Sequence, residues 1–352
     1  MKYTRVSFLL ILMLFLNLSM ISAQSSEDID TGINGTFYQY EQGSNRLEYT
    51  MSASRNVMYY LYDNNGNLTK KISSTNFPLF VSSKLSGWEA YKLGDSNPGT
   101  IWSSKANGNG NAVEWVAADL GRVSIVNQIS LTPRAAMAFP KDFKIQSSYD
   151  AVTWTDIPGQ QYSNYINNGS VQTFQFGSGV AAKYIRVYAT KLTTDDRGSY
   201  YFQLADFKIN QSNVSTSSNL DGWEATKLTD NNASTNWSSV AHGNESETEW
   251  IVLGMGDEKS ITGISLTPRA KLSFPRDFKL QTSNDALHWI DIPNQTYSNY
   301  NNNGLVQIFN FGSTVKARYI RVYATKLGKD DMGNYYFQLG EIKANLAAAA
   351  AS

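Results

Sequence analysis

Tyr184-Ile185-Arg186-Val187-Tyr188-Ala189-Thr190-Lys191-Leu192 and Tyr319-Ile320-Arg321-Val322-Tyr323-Ala324-Thr325-Lys326-Leu327 are the same nine residues met twice. The core of each stretch alternates with period two, the spacing of a strand that has one dry and one wet face. The offset of 135 residues, from Tyr184 to Tyr319, holds outward in both directions. Trp88, Trp102, Trp115 and Trp154 have their counterparts in Trp223, Trp237, Trp250 and Trp289. Pro133-Arg134 recurs as Pro268-Arg269, and Phe139-Pro140 as Phe274-Pro275. More than half of the aligned positions are identical, without an insertion or deletion. A unit this long is a whole domain rather than a solenoid repeat. The pattern predicts two domains, residues 81–210 and 217–345, joined by a short polar linker, residues 211–216, whose only apolar residue is Val214.

Each unit is dense in short strand signals. Asp142-Phe143-Lys144-Ile145-Gln146 alternates cleanly, and Glu114–Gly121 is a largely apolar run stopped by glycine. Gly, Pro, Asn and Asp clusters break these runs at short intervals, and no stretch sustains a 3.6-residue period. The expectation is all-β: two tandem antiparallel jelly-roll sandwiches after a small β segment. That segment, residues 24–80, holds Val57–Tyr62, the turn Asp63-Asn64-Asn65-Gly66 and Asn67–Ile72, a plausible hairpin. Residues 1–23 pair Lys2 and Arg5 with the apolar run Phe8–Leu16 and a small-residue exit at Ala23, which predicts a secretory signal and an extracellular protein. Residues 346–352 form a low-complexity tail.

Composition narrows the function. The 352 residues include 30 basic and 30 acidic side chains, two His and no Cys. A net charge of zero argues against nucleic-acid binding and against electrostatic docking on anionic lipid. Without Cys there is no disulfide, thiolate nucleophile or Cys-ligated metal, and two His make no His-rich centre. Aromatic residues reach 13%, a profile of recognition rather than catalysis. A Ser/His/Asp arrangement, a phosphate-cradling Gly loop and a metalloprotease helix are all missing from the sequence. The chain reads as no enzyme.

One loop invites a metal. Lys92-Leu93-Gly94-Asp95-Ser96-Asn97-Pro98-Gly99-Thr100-Ile101-Trp102-Ser103-Ser104 is matched by Lys227–Ser239, with Asp, Asn, Thr and Trp fixed. A hard cation such as calcium takes six to eight oxygens from carboxylates, hydroxyls and carbonyls. An Asx-turn before a strand uses the same residue types. The residues alone leave both open.

The order of motifs carries a resemblance. Leu-x-Asp-x-Asn-x-x-Thr-x-Trp-Ser-Ser is followed by Glu114-Trp115, Leu131-Thr132-Pro133-Arg134, Pro140-Lys141-Asp142-Phe143, Ser148-x-Asp150-x-x-x-Trp154 and Phe202-Gln203-Leu204. The second unit repeats the series. Both units, about three quarters of the chain, resemble the discoidin, or coagulation factor type C, domain, and most the bacterial galactose-binding-like, carbohydrate-binding-module branch. The resemblance implies an eight-stranded jelly roll and one structural calcium per repeat. Its implied ligands are the Lys92 carbonyl, Asp95, the Asn97 carbonyl, Thr100 and Asp206, then Lys227, Asp230, Asn232, Thr235 and Glu341. Asp206 stands where the family usually has Glu.

It also implies glycan binding. Arg134 and Arg269 lie where sugar-binding relatives place an Arg on the hydroxyls, although an Arg paired with a carboxylate to hold the loop is the competing role. Tyr200 and Tyr201, with Tyr335 and Tyr336, precede the last strand, where a stacking aromatic is expected; Tyr201 and Tyr336 fit the spacing best. Trp102 and Trp237, and also Trp115, Trp154, Trp250 and Trp289, are expected in the core. Ser103 and Ser238 stand where relatives often carry His. The expectation is a secreted lectin-like protein that gains avidity from two similar sites. The alternatives are an adhesion module for membrane lipid or a cell-surface protein, with Met137, Phe139, Leu272 and Phe274 at loop tips, and an accessory targeting subunit of an enzyme.

Overall fold

The structure is a computed structural model that describes residues 36–40, 45–52, 56–63, 65–74, 77–95 and 97–348. The expected signal segment, residues 1–23, lies outside the described residues, as do residues 349–352 of the tail. An antiparallel meander comes first: β1 (Thr36–Tyr40), β2 (Leu47–Ser52), β3 (Val57–Tyr62) and β4 (Leu68–Ser74), paired in that order. The hairpin expected at Asp63–Gly66 is its last turn. Asp63 Oδ1 accepts the Asn65 and Asn67 amides, and Gly66 takes φ +87°.

The first unit comprises β5 (Leu79–Val81), β6 (Trp102–Ser103), β7 (Glu114–Pro133), β8 (Asp142–Ser148), β9 (Thr155–Tyr162), β10 (Gln172–Lys191), β11 (Thr193–Thr194), β12 (Tyr200–Tyr201) and β13 (Gln203–Ser212). The second repeats it as β14 (Val214–Thr216), β15 (Trp237–Ser238), β16 (Glu249–Pro268), β17 (Asp277–Ser283), β18 (Ile290–Tyr297), β19 (Gln307–Lys326), β20 (Gly328–Lys329), β21 (Tyr335–Tyr336) and β22 (Gln338–Leu346). In each unit seven strands form one antiparallel sheet; in the first the order is β6-β13-β7-β10-β8-β9, with β5 beside β7. The remaining two strands make a separate hairpin.

Long bent strands turn this sheet into a sandwich. β5 flanks the beginning of β7, β13 flanks its end, and β7 pairs with β10 on both sides of the bend. The bend falls at Gly121, where φ is +74° and the ladder slips its register. Val116, Leu120, Ile129 and Leu131 of β7 thereby meet Phe174, Ile185 and Val187 of β10 in one core. Trp102 sits in it with no exposed surface, edge-on to Phe202 at 5.3 Å, its Nε1 donating to the Ser83 carbonyl at 3.2 Å. Trp237 repeats this against Phe337. Trp102→Ala is expected to destabilise the first unit by about 3–5 kcal/mol. Denaturant unfolding followed by fluorescence checks it.

Three expectations change. Trp115, Trp154, Trp250 and Trp289 are half-buried on the outer sheet faces, not in the core. The guanidinium of Arg186 covers Trp154 at 4.1 Å and Tyr188 at 4.6 Å, and Arg321 covers Trp289 and Tyr323 likewise. Residues 211–216 are not a free linker. Gln211 and Ser212 extend β13 along Val126 and Ile125, and Val214–Thr216 pair with Leu253–Ile251. Only Asn213 stands between the strands, and buried Val214 anchors the crossing. Each sandwich also starts slightly earlier than expected, at β5 and β14.

Candidate functional site

At one end of the first sandwich, four side chains form a chain of contacts. Trp88 follows Gly87, which takes φ +82°, and is fixed by its own backbone: its N–H bonds Leu85 O at 2.9 Å and its carbonyl accepts from Ser103 N at 3.3 Å. The indole is half-buried. Arg134, just past β7, lies with its guanidinium 5.5 Å from the Trp88 ring centroid and donates from Nη1 to Gln203 Oε1 at 2.9 Å. Gln203 is buried, and its Nε2 donates to Ser103 Oγ at 3.0 Å.

The second unit repeats the chain closely. Arg269 lies 5.2 Å from the Trp223 centroid and 2.9 Å from Gln338 Oε1, and Gln338 donates to Ser238 Oγ at 2.9 Å. Both arginines are exposed, and among the described residues neither pairs with a carboxylate. A buried amide therefore orients a guanidinium that keeps most of its five N–H groups for a ligand.

Tyr200 and Tyr335 pack against the core, and a side chain at Gly110 would meet the Tyr200 ring. Tyr201 and Tyr336, next to them in the same short strands, are half-buried as well. Asp195 and Asp330 cap the turns between these short strands by accepting backbone amides.

Trp88 and Trp223 were not singled out from sequence as ligand platforms. The available signal was the Gly-Trp-Glu tripeptide, present in both units outside any strand-like run. The carboxylate of Glu114 was missed too. It is buried and takes hydrogen bonds from Ser82, Ser83 and Asn107, tying the rim loops together. In the second unit His242 replaces Asn107, its Nε2 2.7 Å from Glu249 Oε1.

The loop tips of the lipid alternative are mixed. Met137 and Leu272 are exposed, at 37% and 49%, whereas Phe139 and Phe274 are core residues. The loop turns inward through Ala138, at φ +53°, whose N–H bonds Thr194 O. Each loop thus offers one apolar spike, not two.

The Asp95 loop is assembled as an Asx-turn. Asp95 Oδ1 accepts the Asn97 amide at 3.0 Å, Thr100 Oγ1 donates to both Asp95 oxygens at 2.9 Å, and Lys92 lies in the one-turn helix Ala90–Leu93 just before. β13, which carries Asp206, packs on that helix. Asp230, Asn232 and Thr235 repeat the turn. The Lys92 and Lys227 ammonium groups bond the Gly87 and Gly222 carbonyls.

Turn and cation remain compatible, because the turn leaves the last carboxylate unsatisfied. Both oxygens of Glu341, 4% exposed, and Oδ1 of Asp206 are buried without a hydrogen bond of ordinary geometry, although Lys343 Nζ lies 3.8 Å from Glu341 Oε2 and the Asn232 backbone acts on the same carboxylate. Burial pushes the Glu341 carboxyl above its ordinary range against the pull of Lys343, and the nearby negative charge of Asp230 pushes the same way. Such orphaned buried oxygens cost free energy unless a cation or a proton satisfies them. Among the described residues no group of three or more His, Cys, Asp or Glu gathers, so a cation here would draw mainly on hydroxyl and carbonyl oxygens.

Each unit is thus a β-sandwich that carries the same indole–guanidinium pair. Residues 74–203 and 213–338 each match the F5/8 type C domain, and the chain belongs to that family, with two such domains in tandem. No curated protein matches. Among solved structures, chitosan-binding module 1 from a chitosanase/glucanase of Paenibacillus sp. IK-5 is 26% identical, over 38% of this chain and 95% of that one, with a TM-score of 0.32. The CBM32-1 and CBM32-2 domains of Clostridium perfringens ZmpB, solved with GalNAc, match 78% of this chain and 91% of theirs at 12% identity and a TM-score of 0.37. The family 32 CBM of C. perfringens NanJ, solved with galactose, is 21% identical over 38% of this chain and 92% of its own, with a TM-score of 0.32. Likenesses of this size do not say which ligand this chain takes.

Proposed function

We propose that the chain is a secreted, non-catalytic glycan-binding protein with two similar rim sites that act by avidity. The observation that supports this most is the duplication of Trp88, Arg134 and Gln203 as Trp223, Arg269 and Gln338 with matching distances. An aromatic face beside oriented N–H donors suits the C–H face and hydroxyls of a pyranose. Tyr201 and Tyr336, in the short strands just before Gln203 and Gln338, are the further rings proposed for each site.

Calcium is the ion the Asp95 and Asp230 loops would hold, through the Lys92 and Asn97 carbonyls, Asp95, Thr100 and Asp206, and through Lys227, Asn232, Asp230, Thr235 and Glu341. Its role is to neutralise the buried carboxylates and stiffen the rim. A glycan array with the full chain, with and without a chelator, tests the proposal. Binding of a defined set of saccharides is expected, and no binding at millimolar saccharide would refute it.

The lipid alternative rests on Met137 and Leu272 alone. Liposome sedimentation is expected to show no retention beyond background. Retention that free saccharide fails to displace would favour that alternative.

A further inference from the structure

The two units differ at positions that face each other. Unit two presents Gly254 where unit one has Asp119, and a Cβ there would meet Ile125 Cδ1 at 3.4 Å and the Tyr319 ring at 3.3 Å. Ile125, Val252 and Tyr319, one from unit one and two from unit two, bury themselves in a cluster of their own, flanked by Ala181, Trp250 and Trp289. Ile125 is 2% exposed, yet the matching residue of unit two is Ser260. Unit one supplies Arg122 and Val123, and unit two has Asp257 and Glu258 in their places. Tyr319 Oη donates to the Val123 carbonyl at 2.7 Å, Arg318 Nη2 donates to the same oxygen at 3.2 Å, and Arg122 pairs with Asp257 at 2.6 Å.

A second seam lies beside the crossing strand. Gly179, at φ +66°, lets the Val214 carbonyl come within 2.8 Å of where a Cβ would stand, and its carbonyl accepts from Ser215 Oγ. Its counterpart is Thr314. Ser178 Oγ donates to Asn219 Oδ1 at 2.7 Å, and unit one has Lys84 in place of Asn219.

We infer that the tandem is one rigid body, in which Ile125, Gly254, Arg318 and Tyr319 fix the two rim sites relative to each other, so that the chain selects ligands by the spacing of two saccharide epitopes. The selection by spacing rests on the glycan proposal; the rigidity does not. Four features carry it. The connection is strand-paired, the interface is apolar at its centre, Arg318, Tyr319 and the Arg122–Asp257 pair bond across it, and Ile125, Gly254 and Arg318 are replaced at the mirrored positions by Ser260, Asp119 and Lys183, although Tyr319 has its like in Tyr184.

The test exchanges residues between repeats, so that each unit receives a side chain its sister fold already holds: Ile125→Ser with Gly254→Asp in the full chain. The first readout is the alignment of the two units by residual dipolar couplings. The wild type is expected to fit one alignment tensor, and the double variant two, with Trp102 and Trp237 signals unchanged as evidence that both cores are folded. The second readout is binding of bivalent saccharides joined by polyproline spacers, which lengthen by about 3.1 Å per residue. The wild type is expected to bind one spacer length at least about 10-fold tighter than its neighbours, and the variant to bind all lengths within about 3-fold. Two tensors for the wild type would overturn the rigid body whatever the sugars do. A single tensor with a flat spacer series would overturn spacing selection. A single tensor without any sugar binding would refute the glycan proposal and leave the rigid tandem established.

Discussion

Replacing Trp88 and Trp223 together by alanine is expected to lower retention on the cognate glycan surface by about 100-fold or more. In the proposed site each indole would supply the flat face for the sugar, and the arginine guanidinium lies over the same ring. A loss of about 1.4 kcal/mol per site is tenfold, and the two losses multiply when both sites engage one surface. Neither indole belongs to a core cluster, so the melting transition is expected to stay within a few degrees of the wild type. Trp88→Ala alone leaves the second site whole and removes chiefly the avidity. Surface plasmon resonance on immobilised glycan, with thermal unfolding as the control, measures both. Undiminished retention in the double variant would leave the indoles without a role.

If the proposed calcium is bound, its removal is expected to be the second large effect. At a free ion concentration about 100 times its dissociation constant, binding stabilises the folded state by about 2.7 kcal/mol. For a sandwich of this size that is roughly 10 °C in the melting midpoint. The effect is expected to be larger in the second unit. There Lys343 Nζ stands 3.8 Å from Glu341 Oε2, whereas Lys208 Nζ is 3.0 Å from Asp206 Oδ2.

The pH dependence has a sign. Burial raises the Glu341 carboxyl, so in chelator its contribution is fully present below the unfolded-state pKa and is lost as pH rises through the raised folded-state value. With calcium the ionised carboxylate is the form required, and the stabilisation by the ion grows with pH over the same range. Calorimetry of the full chain across the acid range, with calcium and with chelator, separates the two. Glu341→Gln is expected to remove this contribution and most of the calcium shift, leaving the opposite acid dependence of Asp150, Asp156, Asp285 and Asp291, whose carboxyls are held below their ordinary range by hydrogen bonds. Curves that coincide with and without calcium would remove the cation from the account.

The sequence was most informative where a pattern was both local and duplicated. Alternation in Tyr184–Tyr188, punctuation by Gly and Pro, and the 135-residue offset pointed to twin β-sandwiches, which is the fold found. It was least informative about which face a half-apolar strand turns outward. Trp154 and Trp289 looked like core residues because nothing in one dimension shows that Arg186 and Arg321 return to cover them. Tyr200 and Tyr201 are indistinguishable by type, and only the three-dimensional packing shows that Tyr200 lies against the core. The Arg134–Gln203 bond joins residues 69 apart, beyond the reach of any spacing rule. The interface was hidden for the opposite reason. It lies in the mismatches between repeats, at Asp119 and Gly254 or Ile125 and Ser260, while the search for a fold attends to the matches.

Of all these measurements, titrating the full chain with a saccharide selected on the array, while following the tryptophan indole N–H resonances, asks most directly whether sugars meet the protein at the two indole–guanidinium rims. Trp88 and Trp223 are expected to shift together and to saturate, with Trp154 and Trp289 unmoved. Shifts confined to the sheet-face indoles or to the Met137 and Leu272 loops, with Trp88 and Trp223 silent, would contradict the account.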